Sequence, residues 1–252
     1  MAMGMVGRRL ARFLSQPREG HRRGPSSRPE LLAATLRRGD VLLVEGTSRF
    51  ASAIKYLTQS TWSHAALCLG VEEDGGEPLF VDADVNEGVR TAPLREFAGL
   101  HARICRPVGL SPAEIEAVAG FMLARLGNSY DMKNILDLAR YLVRQPPVPD
   151  PLKRRMLALG SGEPTRAICS TLLAQAFDSI RYPILPEIEL LDTATAAGRR
   201  AREEILHIRH YSLYTPRDFD VSPFFQVVKP RIEAGFDFHR LLWSDAEGAP
   251  GL

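Results

Sequence analysis

The sequence predicts an α+β domain in which a small antiparallel sheet packs on helices. Two observations carry that prediction. Between residues 38 and 107 the apolar runs are short and broken by turn signals, the pattern of strands. From Ser111 onward they recur at helical spacing and carry helix punctuation. At 252 residues, 45% apolar and 25% charged, the chain fits one globular domain with decorations rather than two.

RGDVLLVEG (38–46) reads as a buried strand closed by Gly46, and SRFASAIKYLTQST (48–61) as a helix with Phe50, Ala53, Ile54 and Leu57 on one face. SHAALCLGVEE and EPLFVDAD flank Asp74, Gly75 and Gly76, the signature of a β-hairpin. GVRTAPL and HARICRP continue the sheet. In LSPAEIEAVAGFMLARLG, Ser111 is an N-cap, Pro112 fits the first helical position and Glu114 completes a capping box. Leu110 and Ile115 are spaced for a hydrophobic staple, and Gly127 supplies a left-handed stop. MKNILDLARYLVRQ reads as a further helix ended by Pro146 and Pro147, and the stretch near 145–165 as an exposed insertion. AICSTLLAQAFDSI (167–180) is an apolar-faced helix. EIELLDTATAAGRRAREEI reads as helical or irregular, and the segment from His210 to Pro230 as loop and strand.

Charge divides the chain unevenly. Residues 1–39 hold nine arginines against Glu19 and Glu30, although the whole chain is only +2. Residues 1–35 therefore read first as a basic, disordered leader that follows the chain's general preference for arginine over lysine, and second as a segment for peripheral contact with an anionic membrane surface. The domain is expected over 36–240, with a tail over 241–252. No window has the roughly 18 apolar residues of a membrane span, and the N-terminal stretch lacks the apolar core of a secretory signal. The expected location is cytoplasmic, with or without peripheral membrane contact.

Three cysteines, Cys68, Cys105 and Cys169, are too few and scattered for a disulfide framework, and none stands at metal-ligand spacing. Cys68 lies mid-strand on the face of His64. Four residues of strand separate them by roughly 13 Å, too far for a hydrogen bond. Cys68 and Cys105 read as small buried hydrophobes. Cys169 falls in the first turn of a helix, where free N–H groups and the helix dipole favour a thiolate and can hold an oxyanion. Position alone suits a buried thiol equally well. A thiolate nucleophile needs an imidazole partner, and the imidazole an orienting group. His64 heads its strand, and the next strand of the hairpin carries Asp82 and Asp84 on one face. Asp82, flanked by apolar residues, is the first choice of orienter and Asp84 the reserve. His207 and His210 have no acidic or cysteine partner at ligand spacing and read as solvated. No dinucleotide or phosphate-binding glycine motif is present, and no basic stripe interleaved with aromatics points to nucleic acid. No cofactor or metal is expected.

The assembled strings resemble the permuted, YiiX/YebB-like cysteine hydrolases of the papain-like NlpC/P60 superfamily. GDVLLVEG, SHAALCLG, LFVDAD with GVRTAPLREF, GNSYD, ICSTLLAQAF and TPRDFDVSPFFQVV carry the resemblance over about residues 38–230. Their order matters most: the histidine strand precedes the cysteine helix, as a circular permutation would give. The resemblance implies a papain-like NlpC/P60 fold with Cys169 as nucleophile, His64 as base and then acid, and Asp82 as orienter. Tyr130, Ser170 and Ser63 are candidates to line the substrate or aid the oxyanion. Where the family often has glutamate as its third polar residue, this chain has aspartate, and Thr171 and Leu172 follow its "CS". The implied activity is hydrolysis of an amide or ester bond, in a peptide or small molecule, through a Cys169 thioester. The alternatives are a lipid acyltransferase or phospholipase of the same fold, and a non-catalytic binding module.

Overall fold

The computed structural model describes residues 16, 24–25, 27–71, 75–84, 86–128, 168–191, 203–207 and 214–240. Helix α1 (Pro29–Thr35) leads into strand β1 (Val41–Val44), and α2 (Arg49–Thr58) into β2 (His64–Gly70). Then come β3 (Leu79–Asp84), β4 (Gly88–Pro93), β5 (Ala102–Pro107) and α3 (Pro112–Leu123). Helix α4 (Ile168–Asp178), β6 (Glu187–Leu191), β7 (Glu203–His207), α5 (Pro216–Val221), β8 (Phe225–Val228) and α6 (Pro230–Glu233) follow.

Six strands form one antiparallel sheet in the order β4-β3-β2-β1-β5-β8. Period-two alternation splits its residues between two cores. Leu43, Ala65, Leu67, Val81 and Ala83 face the helical side, where they cluster with Met122 of α3 and with Leu173 and Phe177 of α4. Leu42, Val44, Ala66, Cys68 and Phe80 face the other side, covered by Leu32 of α1 and by Leu94 and Phe97 after β4. The fold is α+β, as the strand run followed by helices predicts.

The capping box read from the sequence is present, and α2 carries a cap not singled out there. Ser48 accepts from the Ala51 N–H at the start of α2, and Ser111 and Glu114 form the reciprocal capping box of α3. Gly127 has φ +78°, but α3 ends at Leu123 and a tight turn intervenes before that glycine. There the Gly127 N–H donates to the Val89 carbonyl and stitches the turn to β4.

Two expectations are corrected. Packed chain begins before Leu36: α1 lies within the stretch read as leader, and its Leu32 is buried in the second core. The segment read as helical or irregular contributes a two-stranded ladder, β6 against β7, with Glu187 opposite His207 and Leu191 opposite Glu203. Glu187, Ile188, Glu189 and Leu190 alternate polar with apolar, the period of a strand rather than a helix. The helix read over 132–145, the insertion near 145–165, His210, the tail and most of the leader lie outside the described residues.

Candidate active site

Antiparallel pairing puts the start of β2, the end of β3 and the end of β1 at one end of the sheet, with Val44 opposite His64. A pocket of about 270 Å³ opens there, lined by His64, Asp82, Asp84, Arg90, Ser63 and Cys169 among others. Its apolar wall comes from Val44, Phe50, Phe97 and Leu100.

His64 holds the centre. Its Nε2 meets Asp82 Oδ2 at 2.8 Å, and Cys169 lines the same pocket. Phe97 stacks on the imidazole at 6.2 Å between ring centres. Burial works against a charged ring here. The negative charge at Cys169 and the bond to Asp82 outweigh it and raise the His64 pKa to about 10. An imidazolium beside sulfur stabilises thiolate, the nucleophilic form.

The chain entering His64 is pinned from behind. Trp62 is 3% exposed and donates its indole N–H to Asp220 Oδ2 at 2.8 Å. Arg103 binds the same carboxylate and lies over the indole face, 5.0 Å from its centre, while His101 stacks on Trp62. A rigid residue 62 fixes where the backbone delivers residue 64.

Asp82 is 2% exposed with both oxygens engaged, Oδ2 by His64 and Oδ1 by Arg90 Nε at 3.2 Å. Counting back along the β2–β3 ladder from Leu67 opposite Val81 would bring His64 level with Asp84. The bond instead runs one diagonal step to Asp82, within reach of a long side chain. Asp84, the reserve, does another job: its Oδ1 accepts from the Asn86 and Glu87 N–H groups and shapes the turn into β4.

Cys169 is 4% exposed and stands in the first turn of α4, where backbone N–H groups lack helical partners. Ser63 lines the pocket, but its hydroxyl is committed to the loop, accepting the Gly46 N–H at 2.8 Å. A side chain at Gly46 would meet Ala51 and Ser63 at 2.9–3.0 Å, so this close approach needs glycine. The Ser170 hydroxyl turns inward instead, fully buried and donating to the Tyr214 carbonyl. Tyr130 lies outside the described residues. Cys68 and Cys105 are wholly buried, and burial pushes both thiols up to about 12. Among the described residues no group of three or more His, Cys, Asp or Glu could hold a metal ion.

Sequence reasoning missed Arg90 and its neighbour Glu96. The signal was available: the short connection from β3 to β4, with Asn86 and Glu87 in a turn, sets Arg90 directly opposite Asp82.

The family described as permuted papain-like amidase enzyme, YaeF/YiiX, C92 matches residues 35–141, the segment that holds His64, Asp82 and Arg90. That segment is similar to the permuted papain-like amidases. The match supports a cysteine-type hydrolase of amidase character. Cys169 lies beyond the matched range, on α4. A solved structure titled metalloprotein yiiX from Escherichia coli O157:H7 is similar at 18% identity and TM-score 0.46. That likeness covers 76% of this chain and 96% of the other. No curated protein matches. Among the described residues no helix is long and apolar enough to cross a membrane.

Proposed function

We propose that the protein is a cysteine amidase working through a Cys169 thioester. One observation carries this reading: His64 is hydrogen-bonded to a buried carboxylate, Asp82, and shares an open pocket with Cys169. The Cys169 thiolate attacks the substrate carbonyl carbon, and the carbon–sulfur bond forms as the carbonyl oxygen takes up charge. Backbone N–H groups in the first turn of α4 stabilise that oxyanion. Imidazolium His64 gives its proton to the leaving nitrogen, the carbon–nitrogen bond breaks and a thioester remains. Neutral His64 then takes a proton from water, and the hydroxide attacks the thioester. Expulsion of thiolate restores the imidazolium and releases the acid. Asp82 keeps the ring in the orientation that both steps need.

The test is iodoacetamide alkylation of Cys169 across pH 5–9, followed by peptide mass mapping. Alkylation should be brisk at neutral pH and fall about tenfold or more at pH 7 in His64→Ala. A profile centred near the free-thiol value of about 8.5, unchanged by His64→Ala, overturns the proposal. Incubation with peptide and phospholipid libraries then separates amide hydrolysis from acyl transfer, through the mass of the adduct on Cys169. The apolar wall of Val44, Phe50, Phe97 and Leu100 favours an apolar acyl group in either case.

A further inference from the structure

We propose that Arg90 is a positioning residue which acts through Asp82 to hold His64 and Cys169 in their working charge state. The inference rests on the reading of Cys169 and His64 as nucleophile and base, and adds a fourth member behind the carboxylate.

The geometry is specific. Asp82 and Arg90 face each other across the β3–β4 ladder, so the backbone register, not a flexible side chain alone, brings them together. Arg90 Nε reaches Asp82 Oδ1 at 3.2 Å, Nη2 reaches Glu96 Oε2 at 2.8 Å and Nη1 lies 3.6 Å from Glu87 Oε2. The guanidinium is thus anchored on three sides and only 22% exposed. A carboxylate as buried as Asp82 is costly unless both oxygens are satisfied. His64 satisfies one and Arg90 the other. Without Arg90, Oδ1 would be bare, and the carboxylate could rotate away from His64 or take a proton. In either case it would no longer orient the ring.

Charge argues the same way. The groups facing this site are Asp82 and Asp84 from β3, Glu87 from the turn, Glu96 from the segment after β4, His64 from β2 and Cys169 from α4. Among the described residues lining the pocket, Arg90 is the permanent cation in a ring of carboxylates. Burial disfavours its charge, but Asp82, Glu96 and Asp84 outweigh that and push its pKa up. Removing this cation leaves the carboxylates acting unopposed on His64 and Cys169. His64 then holds its proton more tightly and is a poorer partner for the sulfur, so alkylation should need a higher pH.

The experiment compares Cys169 alkylation against pH in the wild-type chain, Arg90→Gln, Arg90→Lys, Glu96→Gln and His64→Ala, with thermal melting as a folding check. Arg90→Gln should move the acid limb upward by about one pH unit, which slows alkylation roughly tenfold below the limb. Arg90→Lys keeps the charge and should restore most of the shift. Glu96→Gln removes an opposing carboxylate and should move the limb the other way, by a few tenths of a unit. A role in stability alone would lower the melting temperature and leave the limb in place. An unmoved limb in Arg90→Gln, while His64→Ala alters the profile, overturns the assignment of Arg90 and leaves the catalytic reading standing. An unaltered profile in His64→Ala overturns both. Should Arg90→Gln fail to fold, Glu96→Gln decides, and an unmoved limb there overturns the assignment.

Discussion

Asp40 and Asp82 are both buried aspartates paired with an arginine, yet they do different work. Asp40 is 1% exposed and gives both oxygens to Arg106, at 2.8 and 2.7 Å, and accepts the Arg37 N–H. It closes the start of β1 and does not line the pocket at His64. Asp82 divides its oxygens between Arg90 and His64, so part of its hydrogen-bonding capacity is spent on a ring that titrates. The consequence is measurable at His64. Burial lowers the proton affinity of the ring, while Cys169 and Asp82 raise it further, so His64 stays protonated through neutral pH. It should give up its proton only as pH rises toward about 10, well above the ordinary value near 6.5. NMR titration of the imidazole C–H signals reads this directly. In Cys169→Ala the sulfur's negative charge is gone, and the midpoint should fall back toward the ordinary value. A wild-type midpoint near 6.5 would show that the imidazolium–thiolate pair does not exist.

Helix α3 shows how far local chemistry alone reaches. Its capping box closes through Ser111 and Glu114, an exchange between residues three apart that depends on nothing distant. Ser111→Ala should cost about 1 kcal/mol in urea denaturation, with Cys169 alkylation unchanged because α3 does not line the pocket. Local signals of this kind made α2, α3, α4 and the β2–β3 hairpin readable from the sequence. Where the reading failed, the deciding force was not local. Helix α1 has no side-chain cap and is held by burial of Leu32 under the sheet, a contact invisible in a stretch that reads as basic leader. The β6 and β7 strands each satisfy their backbone only through the other, across eleven intervening residues. Period two puts His64, Asp82 and Asp84 within reach of one another, but the contact runs from His64 to Asp82 along a diagonal step, where strand counting alone pairs His64 with Asp84. Arg90 was one register count away.

The order of its elements along the chain makes the site a property of the whole domain. His64 and Asp82 come from neighbouring strands, but Cys169 arrives more than a hundred residues after His64 on a helix that must dock against the sheet. What fixes the sulfur is therefore the packing of α4, not the strands. Phe177 is the main fastener: fully buried, it meets Tyr182, Phe219 and Phe225 in edge-on and tilted contacts on the helical side of the sheet. It stands eight residues past Cys169, about 12 Å along the helix axis, so loosening it lets the first turn shift without touching the pocket. Phe177→Leu should cost about 1–2 kcal/mol in urea denaturation. It should also slow Cys169 alkylation at neutral pH by roughly threefold to tenfold, because small displacements of reacting groups are expensive. Ile104→Val supplies the control. Ile104 is equally buried but belongs to the opposite core, and its loss of one methyl should cost about 1 kcal/mol. With α4 left in place, its alkylation rate should match the wild type. If both variants slow alkylation equally for their loss of stability, the site tracks global stability and not the seating of α4. If only Phe177→Leu slows it, reactivity at Cys169 is set by how that helix is held against the sheet.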